Sequence, residues 1–143
     1  KIGKHVHIAS FVSISGGGQL NLGAFSGIAS GCRIITGTDD FKDWGFGNPT
    51  IANEFRNVKT NPISIGQFCV VGANSVILPG VSIGDGATVA AGSVVSKTLE
   101  PWGIYVGNRK IADRDKDAVL NNYRNFRTQN EIDQVGSLFK NNT

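Results

Sequence analysis

The chain has 143 residues, with 14 Lys and Arg against 11 Asp and Glu, a formal net charge of +3. So small an excess, scattered along the sequence, does not mark a nucleic-acid binder. No apolar run near eighteen residues and no signal-peptide pattern is present, so neither a membrane span nor export is expected. The length fits one domain, and its 40% hydrophobic content is ordinary.

From its first residues the chain keeps a six-residue beat. Ile2, Ile8 and Ile14 stand six apart, and Leu22, Ile28 and Ile34 repeat the spacing in a second phase. Ile65, Val71, Ile77, Ile83, Val89 and Val95 then carry it without a break. Four places after each lies a mostly small residue: Ser26, Cys32 and Thr38 in the second group, Cys69, Ser75, Val81, Ala87, Ser93 and Leu99 in the third. Helices and ordinary strands show periods of 3.6 and 2.0; a short fixed repeat marks a solenoid, whose units cover one another's apolar faces. Between the first two phases, GGGQLN (16–21) adds two residues that glycine can absorb in a turn. With three hexads to a triangular turn, residues 2–39 make about two coils and residues 65–100 two more. Gly3, Gly23, Gly66, Gly72 and Gly84 each follow a beat residue, where a sharp bend is expected. The sequence holds no Met and opens in mid-beat at Lys1, so an excised or truncated start is expected.

His5 and His7, three and five places after Ile2, should point outward. Cys32 and Cys69 fall on the inward small position, as free thiols packed like small apolar groups, which suits a reducing cytoplasm. Residues 38–62 break the beat. Loops this long are functional or disordered, and Phe41, Trp44, Phe46 and Phe55 make this one too aromatic for disorder. We expect an ordered excursion packed on the solenoid wall or on a neighbouring subunit. Over 113–129, Val119, Leu120, Tyr123 and Phe126 form one helical stripe, suited to covering the open end of the last coil. A weaker stripe follows at Ile132, Val135, Leu138 and Phe139, interrupted by Gly136, before a frayed tail.

The pattern [LIV]-G-x-x-[small]-x, clearest from Ile83-Gly-Asp-Gly-Ala to Gly92-Ser-Val-Val, resembles that of the hexapeptide-repeat acyltransferases over residues 2–112. The resemblance implies an all-β solenoid: a left-handed parallel β-helix in residues 1–112, with the long excursion at about 38–62 and a C-terminal α-helix in a tail at 113–143. It also implies a homotrimer with sites in the grooves between subunits, and an acyl-CoA as co-substrate. In the family's O-acetyltransferases a His stands where the coil enters the loop; here Ile34-Ile-Thr-Gly-Thr-Asp39-Asp40-Phe41 has none. Asp39-Asp40-Phe41, Asn48-Pro49-Thr50, Phe55-Arg56-Asn57-Val58-Lys59 and Trp102–Gly107 are instead similar to the branch that N-acylates nucleotide-linked 4-amino-4,6-dideoxy sugars for surface glycans. Where that branch commonly reads N-P-A, this chain has Asn108-Arg109-Lys110.

The exchange of His for Asp is chemically consistent. A sugar hydroxyl needs a base working near neutral pH, such as His. A neutral amine already has a reactive lone pair, and once it attacks a thioester carbonyl its nitrogen becomes strongly acidic, so a carboxylate with a pKa of about 4 suffices. The resemblance therefore makes Asp39 the candidate proton acceptor and Asp40 the second, with Ser30 and His7 near the sugar or the intermediate. Gly72, Ala73, Ala90, Ala91 and Gly92 would let the CoA arm approach the backbone, and Lys97, Arg109 or Lys110 would meet its phosphates. Two His at spacing two do not supply the three-His zinc set of solenoid carbonic anhydrases, so no metal is expected. Two alternatives stay open: O-acetylation of a glycan by His5 or His7, and a non-catalytic solenoid fragment.

Overall fold

Three ladders of very short parallel strands run side by side, each taking one strand from every turn of the chain. A computed structural model describes the backbone of residues 1–140 and the side chains of residues 1–132. The first ladder stacks His7–Ile8, Gly27–Ile28, Val70–Val71, Thr88–Val89 and Gly103–Val106. The second stacks Ser13–Ser15, Arg33–Ile35, Val76–Ile77 and Val94–Val95, and the third Leu20–Leu22, Ile63–Ile65 and Ser82–Ile83. In register, Ile8 lies on Ile28, Ile28 on Val71 and Val71 on Val89. Ile14, Ile34, Ile77 and Val95 stack likewise. The first two coils are thus 20 residues apart and the third and fourth 18, a difference located at Gly16 and Gly17, both at positive φ.

The beat residues from Leu22 to Val95 form the core, all at 3% exposure or less. Each such Ile, Leu or Val contributes about 1.5–3 kcal/mol by burial. Leu99 departs from the sequence expectation: it takes the beat position itself, bridged to Ile83, not the small companion position. The last coil is therefore two residues shorter, and Tyr105 lies beneath Val89.

The small companions do more than fill space. Ser26 Oγ donates to Gly66 O at 2.7 Å, Cys32 Sγ to Gly72 O at 3.2 Å, and Cys69 Sγ to Gly84 O at 3.1 Å. These three side chains thus each satisfy a carbonyl of the next coil, the accounting a buried backbone requires.

The glycines after the beat residues need a correction. None of Gly3, Gly23, Gly66, Gly72 and Gly84 has positive φ; their role is close approach. A Cβ would lie 2.6 Å from Ala24 N at Gly3, 2.7 Å from Asp85 N at Gly66 and 2.5 Å from Pro101 N at Gly84. The bend comes two residues later. All six non-glycine residues at positive φ (His5, Phe11, Phe25, Phe68, Asn74 and Trp102) stand three places after a residue at a stacked beat position. For an L-residue that conformation costs on the order of 1–2 kcal/mol.

One corner offsets this by stacking. His5 lies on Phe25 at 4.8 Å between centroids, Phe25 on Phe68 at 5.4 Å, and Phe68 faces Trp102 at 6.4 Å. Helix α1 (Lys116–Lys140) docks along this column and not over the open end of the last coil, as its stripe had suggested. Tyr123 sets its ring against Phe25 and Phe68, while Phe126 meets His5 and Phe25. Lys116 sits over Trp102, so the helix runs back from the last coil toward the first. Arg114 fixes its start, with Nη1 donating to Phe68 O and Gly86 O at 2.5 and 3.0 Å. The last strand of the first ladder is instead paired by antiparallel Arg109–Asp113, one residue beyond the expected domain edge. In the second stripe, Ile132 is exposed; Val135, Gly136, Leu138 and Phe139 lie outside the residues whose side chains are described, and 141–143 outside the described residues altogether.

Candidate active site

The excursion is a hairpin-like lobe. Gly37–Thr38 pairs antiparallel with Lys59–Thr60, and acidic residues leaving the coil meet polar partners on the returning limb. Asp39 Oδ1 accepts from Arg56 Nη2 at 2.7 Å and Nε at 3.2 Å. Asp40 accepts from the backbone N–H groups of Lys42, Asp43 and Gly45 at 2.8–3.0 Å and from Asn57 Nδ2 at 2.9 Å. Asp43 Oδ2 pairs with Lys59 Nζ at 2.6 Å, which raises the lysine's pKa.

The two candidate carboxylates differ in what they have left to offer. Both oxygens of Asp40 are committed, and its backbone N–H donors hold its pKa well below the usual carboxylate range. Its side chain organises the turn. Asp39 spends one oxygen on Arg56, and among the described residues no donor reaches Oδ2.

Phe41, Trp44, Phe46 and Phe55 are exposed, at 94, 65, 61 and 54%. These four aromatic side chains thus do not pack on the wall of the coils, and polar bonds hold the excursion in shape. Sequence reasoning passed over Arg56, Asn57 and Lys59 as partners. The available signal was their order, which repeats that of Asp39, Asp40 and Asp43 at a separation of 16 or 17 residues.

His7 and Ser30 do come together. They line a groove of about 350 Å³ on the outer face of the first ladder, with Ala9, Gly27, Ala29 and Val70. The Asp pair does not line it. His5 belongs elsewhere, to the aromatic column.

The small residues chosen for CoA are stacked at one corner, where Gly92 N donates to Ala73 O at 2.8 Å. Gly72 is accounted for by the coil against it, since its Cβ would fall on Ala91 N, and Gly92 by its φ of +70°, although a Cβ there would meet nothing within 4 Å. Asn108 Oδ1 accepts from the N–H groups of Ser96 and Lys97 at 2.9 and 3.2 Å, bringing Lys97 beside the Asn108–Arg109 turn. Lys110 is held by Asp113 at 2.5 Å, which raises its pKa. Of the three basic candidates, Lys97 and Arg109 have no ion-pair partner among the described residues. No three His, Cys, Asp or Glu gather as metal ligands among them either.

Residues 62–97 match the family described as the hexapeptide repeat of succinyl-transferase. A structure of a variant of AntD, an N-acyltransferase from Bacillus cereus, in complex with dTDP-4-amino-4,6-dideoxyglucose and coenzyme A is 35% identical, with a TM-score of 0.81. The match covers 89% of this chain and 70% of that one. The chain belongs to the hexapeptide-repeat acyltransferases. Within this family it falls in the branch resembling the N-acyltransferases of nucleotide-linked 4-amino-4,6-dideoxy sugars. The dTDP-4-amino-4,6-dideoxy-D-glucose acyltransferase of Escherichia coli is 29% identical over 114 residues, or 78% of this chain. The chain spans 59% of that relative's length. A maltose O-acetyltransferase from Clostridium difficile, 24% identical with a TM-score of 0.67 over 80% of this chain, shares the fold.

Proposed function

We propose that the protein is an acyl-CoA-dependent N-acyltransferase of a nucleotide-linked amino sugar, acting in surface-glycan synthesis in the cytoplasm, with Asp39 as proton acceptor. The observation that carries this reading is the Asp39 carboxylate where the second coil runs into the excursion, one oxygen held by Arg56 and the other uncommitted. The branch supports the substrate class, since AntD has been seen with dTDP and 3-hydroxybutyryl-CoA. In this reading the solenoid is wound left-handed, as in its family. Three copies assemble so that the Asp39 lobe of one faces the His7–Ser30 groove of another, because within one chain the two are separate.

In the reaction, the sugar amine attacks the thioester carbonyl and the new C–N bond forms as the carbonyl π electrons move to oxygen. Asp39 Oδ2 takes a proton from the cationic nitrogen. Collapse of the intermediate breaks the C–S bond, and the thiolate leaves and is protonated. Acyl-CoA supplies the activated acyl group, with Gly92 and Ala73 letting its arm near the backbone and Lys97 and Arg109 meeting its phosphates.

A second reading makes Asp40 the acceptor. The AntD structures include substitutions of a serine and of an aspartate ten positions later, and Ser30 and Asp40 are likewise ten apart. Against it, Asp40 would have to release the turn it organises. Thiol release from acetyl-CoA and longer acyl-CoAs, scanned against dTDP-linked amino sugars and matched hydroxy sugars, tests the class of reaction. Turnover with the amine alone supports N-transfer. Asp39→Asn should then lower kcat by about 10²–10⁴, and His7→Ala should lower it far less. A large loss in His7→Ala with turnover of the hydroxy sugar would establish O-transfer instead.

A further inference from the structure

We infer that Arg56 is a positioning residue for the reaction, setting the direction in which Asp39 offers its free oxygen. The inference rests on the reading of Asp39 as proton acceptor. Asp39–Arg56 is the least exposed ion pair among the described residues, with side chains 26 and 16% exposed, while the other three pairs lie between 41 and 82%. Such partial enclosure makes geometry matter more than in a surface pair, where two long side chains sample many arrangements.

The contact is directional. Nε and Nη2, two donors of one rigid plane, converge on the same oxygen. A carboxylate held by a single point charge can rotate about its Cβ–Cγ bond and exchange its oxygens; one held by a planar pair of donors on Oδ1 cannot do so without breaking both bonds. Oδ2 is therefore presented in a fixed direction.

Arg56 is itself placed by the fold of the lobe. Its N–H donates to Asn53 O at 3.1 Å, closing the 3-10 turn Asn53–Phe55. The opposite limb approaches so closely that a Cβ at Gly45 would lie 3.1 Å from the Arg56 carbonyl carbon. Asp40 is engaged separately by backbone donors and Asn57, and Asp43 by Lys59. Among the described residues, Arg56 is the one side chain that donates to the Asp39 carboxylate.

A double-mutant cycle on the full chain separates positioning from simple structural support. Arg56→Ala should lower kcat about 10- to 100-fold with KM for acyl-CoA unchanged, and Arg56→Lys should recover only part of the loss, because it restores the charge but not the planar pair of donors. Added guanidinium should raise the rate of Arg56→Ala and not that of Arg56→Lys. If Arg56 works through Asp39, Arg56→Ala in an Asp39→Asn background should cost no further activity. Additive losses, or a rise in KM for acyl-CoA with kcat unchanged, would overturn the inference. An inactive wild type would instead remove the functional reading beneath it, and an active wild type unaffected by Arg56→Ala would remove the inference alone. Circular dichroism and melting temperature of each variant identify any that fails to fold; Arg56→Lys, which keeps the charge, then carries the comparison.

Discussion

Gly86 stands in the aromatic corner column at the one level without a ring, and the indole of Trp102 occupies the place its Cβ would take. The column runs His5, Phe25, Phe68, Gly86, Trp102 from the first coil to the last. Because Gly86 is empty, Trp102 can face Phe68 at 6.4 Å and 28° across it. Gly86 also has φ +70°, so two independent requirements meet at one residue.

Gly86→Ala should accordingly cost about 1–2 kcal/mol for the left-handed backbone and about 1–3 kcal/mol more for displacing the indole. Urea unfolding followed by circular dichroism measures the sum. In a Trp102→Ala background the steric part disappears and only the backbone part remains, so the two substitutions should be strongly non-additive. Equal losses from Gly86→Ala in the two backgrounds would show that the ring does not occupy the glycine's space in solution.

The excursion should carry its own acid transition. Asp40's folded pKa is depressed by the N–H groups of Asp43, Lys42 and Gly45 and by Asn57. For a depressed carboxyl, the stabilisation is whole above the ordinary carboxylate range and is lost as pH falls from there toward the folded pKa. In a Trp102→Phe background, Trp44 reports on the lobe. Its emission should be constant from pH 8 to 5 and change only below about pH 4. Asp40→Asn should show the altered emission already at neutral pH, with the core transition in urea barely moved. A lobe signal unchanged in Asp40→Asn would mean that the turn holds without the carboxylate.

How far the sequence could be read depended on whether one cause or two determined a residue. Ile28, Ile34, Val71 and Val89 answer only to burial, and the beat located every one of them. The glycines after beat residues had two available explanations, a bend or a close approach, and the pattern alone favoured the bend; the structure assigns it to His5, Phe25, Phe68, Asn74 and Gly86, two places further on. The aromatic column was hidden because the gaps between His5, Phe25, Phe68 and Trp102 follow the insertions and not the beat. For the same reason α1 was legible as an amphipathic helix while its docking place was not. At the site, the Asp pair was visible from the missing His, but the division of labour between Asp39 and Asp40 depends on Arg56 and Asn57, which lie 17 residues away from them in sequence.

Cys69 offers a test of the companion column. Burial pushes its thiol up to about 11, so the native protein should leave it unmodified by a thiol reagent at pH 8, with both cysteines reacting once urea unfolds the chain. A raised thiol pKa favours the protonated folded form. Its contribution to stability is therefore full below the ordinary thiol range and falls as pH rises through about 11. Cys69→Ser should keep the donation to Gly84 O, as Ser26 keeps its bond to Gly66 O one coil earlier, at a cost within about 1 kcal/mol. It should also flatten the alkaline loss. Fast labelling of Cys69 in the native state would show that the coils open at that level.

Among the described residues, Gly27 is the glycine the fold does not explain. It lies inside a strand with no positive φ, and a Cβ there would meet nothing within 4 Å. Its neighbours in register are His7 above and Val70 below, so a side chain is structurally tolerable at this level. Glycine in a strand interior costs roughly 0.5–1 kcal/mol relative to alanine, and what it leaves open is the floor of the His7–Ser30 groove. Gly27→Ala should therefore raise stability by about 0.4–1 kcal/mol. Gly27→Val should keep the fold while filling the groove, lowering kcat/KM at least tenfold and more for longer acyl chains than for acetyl. Melting temperature and a chain-length series of acyl-CoAs read the two effects separately. A destabilised Gly27→Ala would show that the backbone needs glycine after all, and a Gly27→Val enzyme with an unchanged chain-length profile would show that the groove floor does not touch the acyl group.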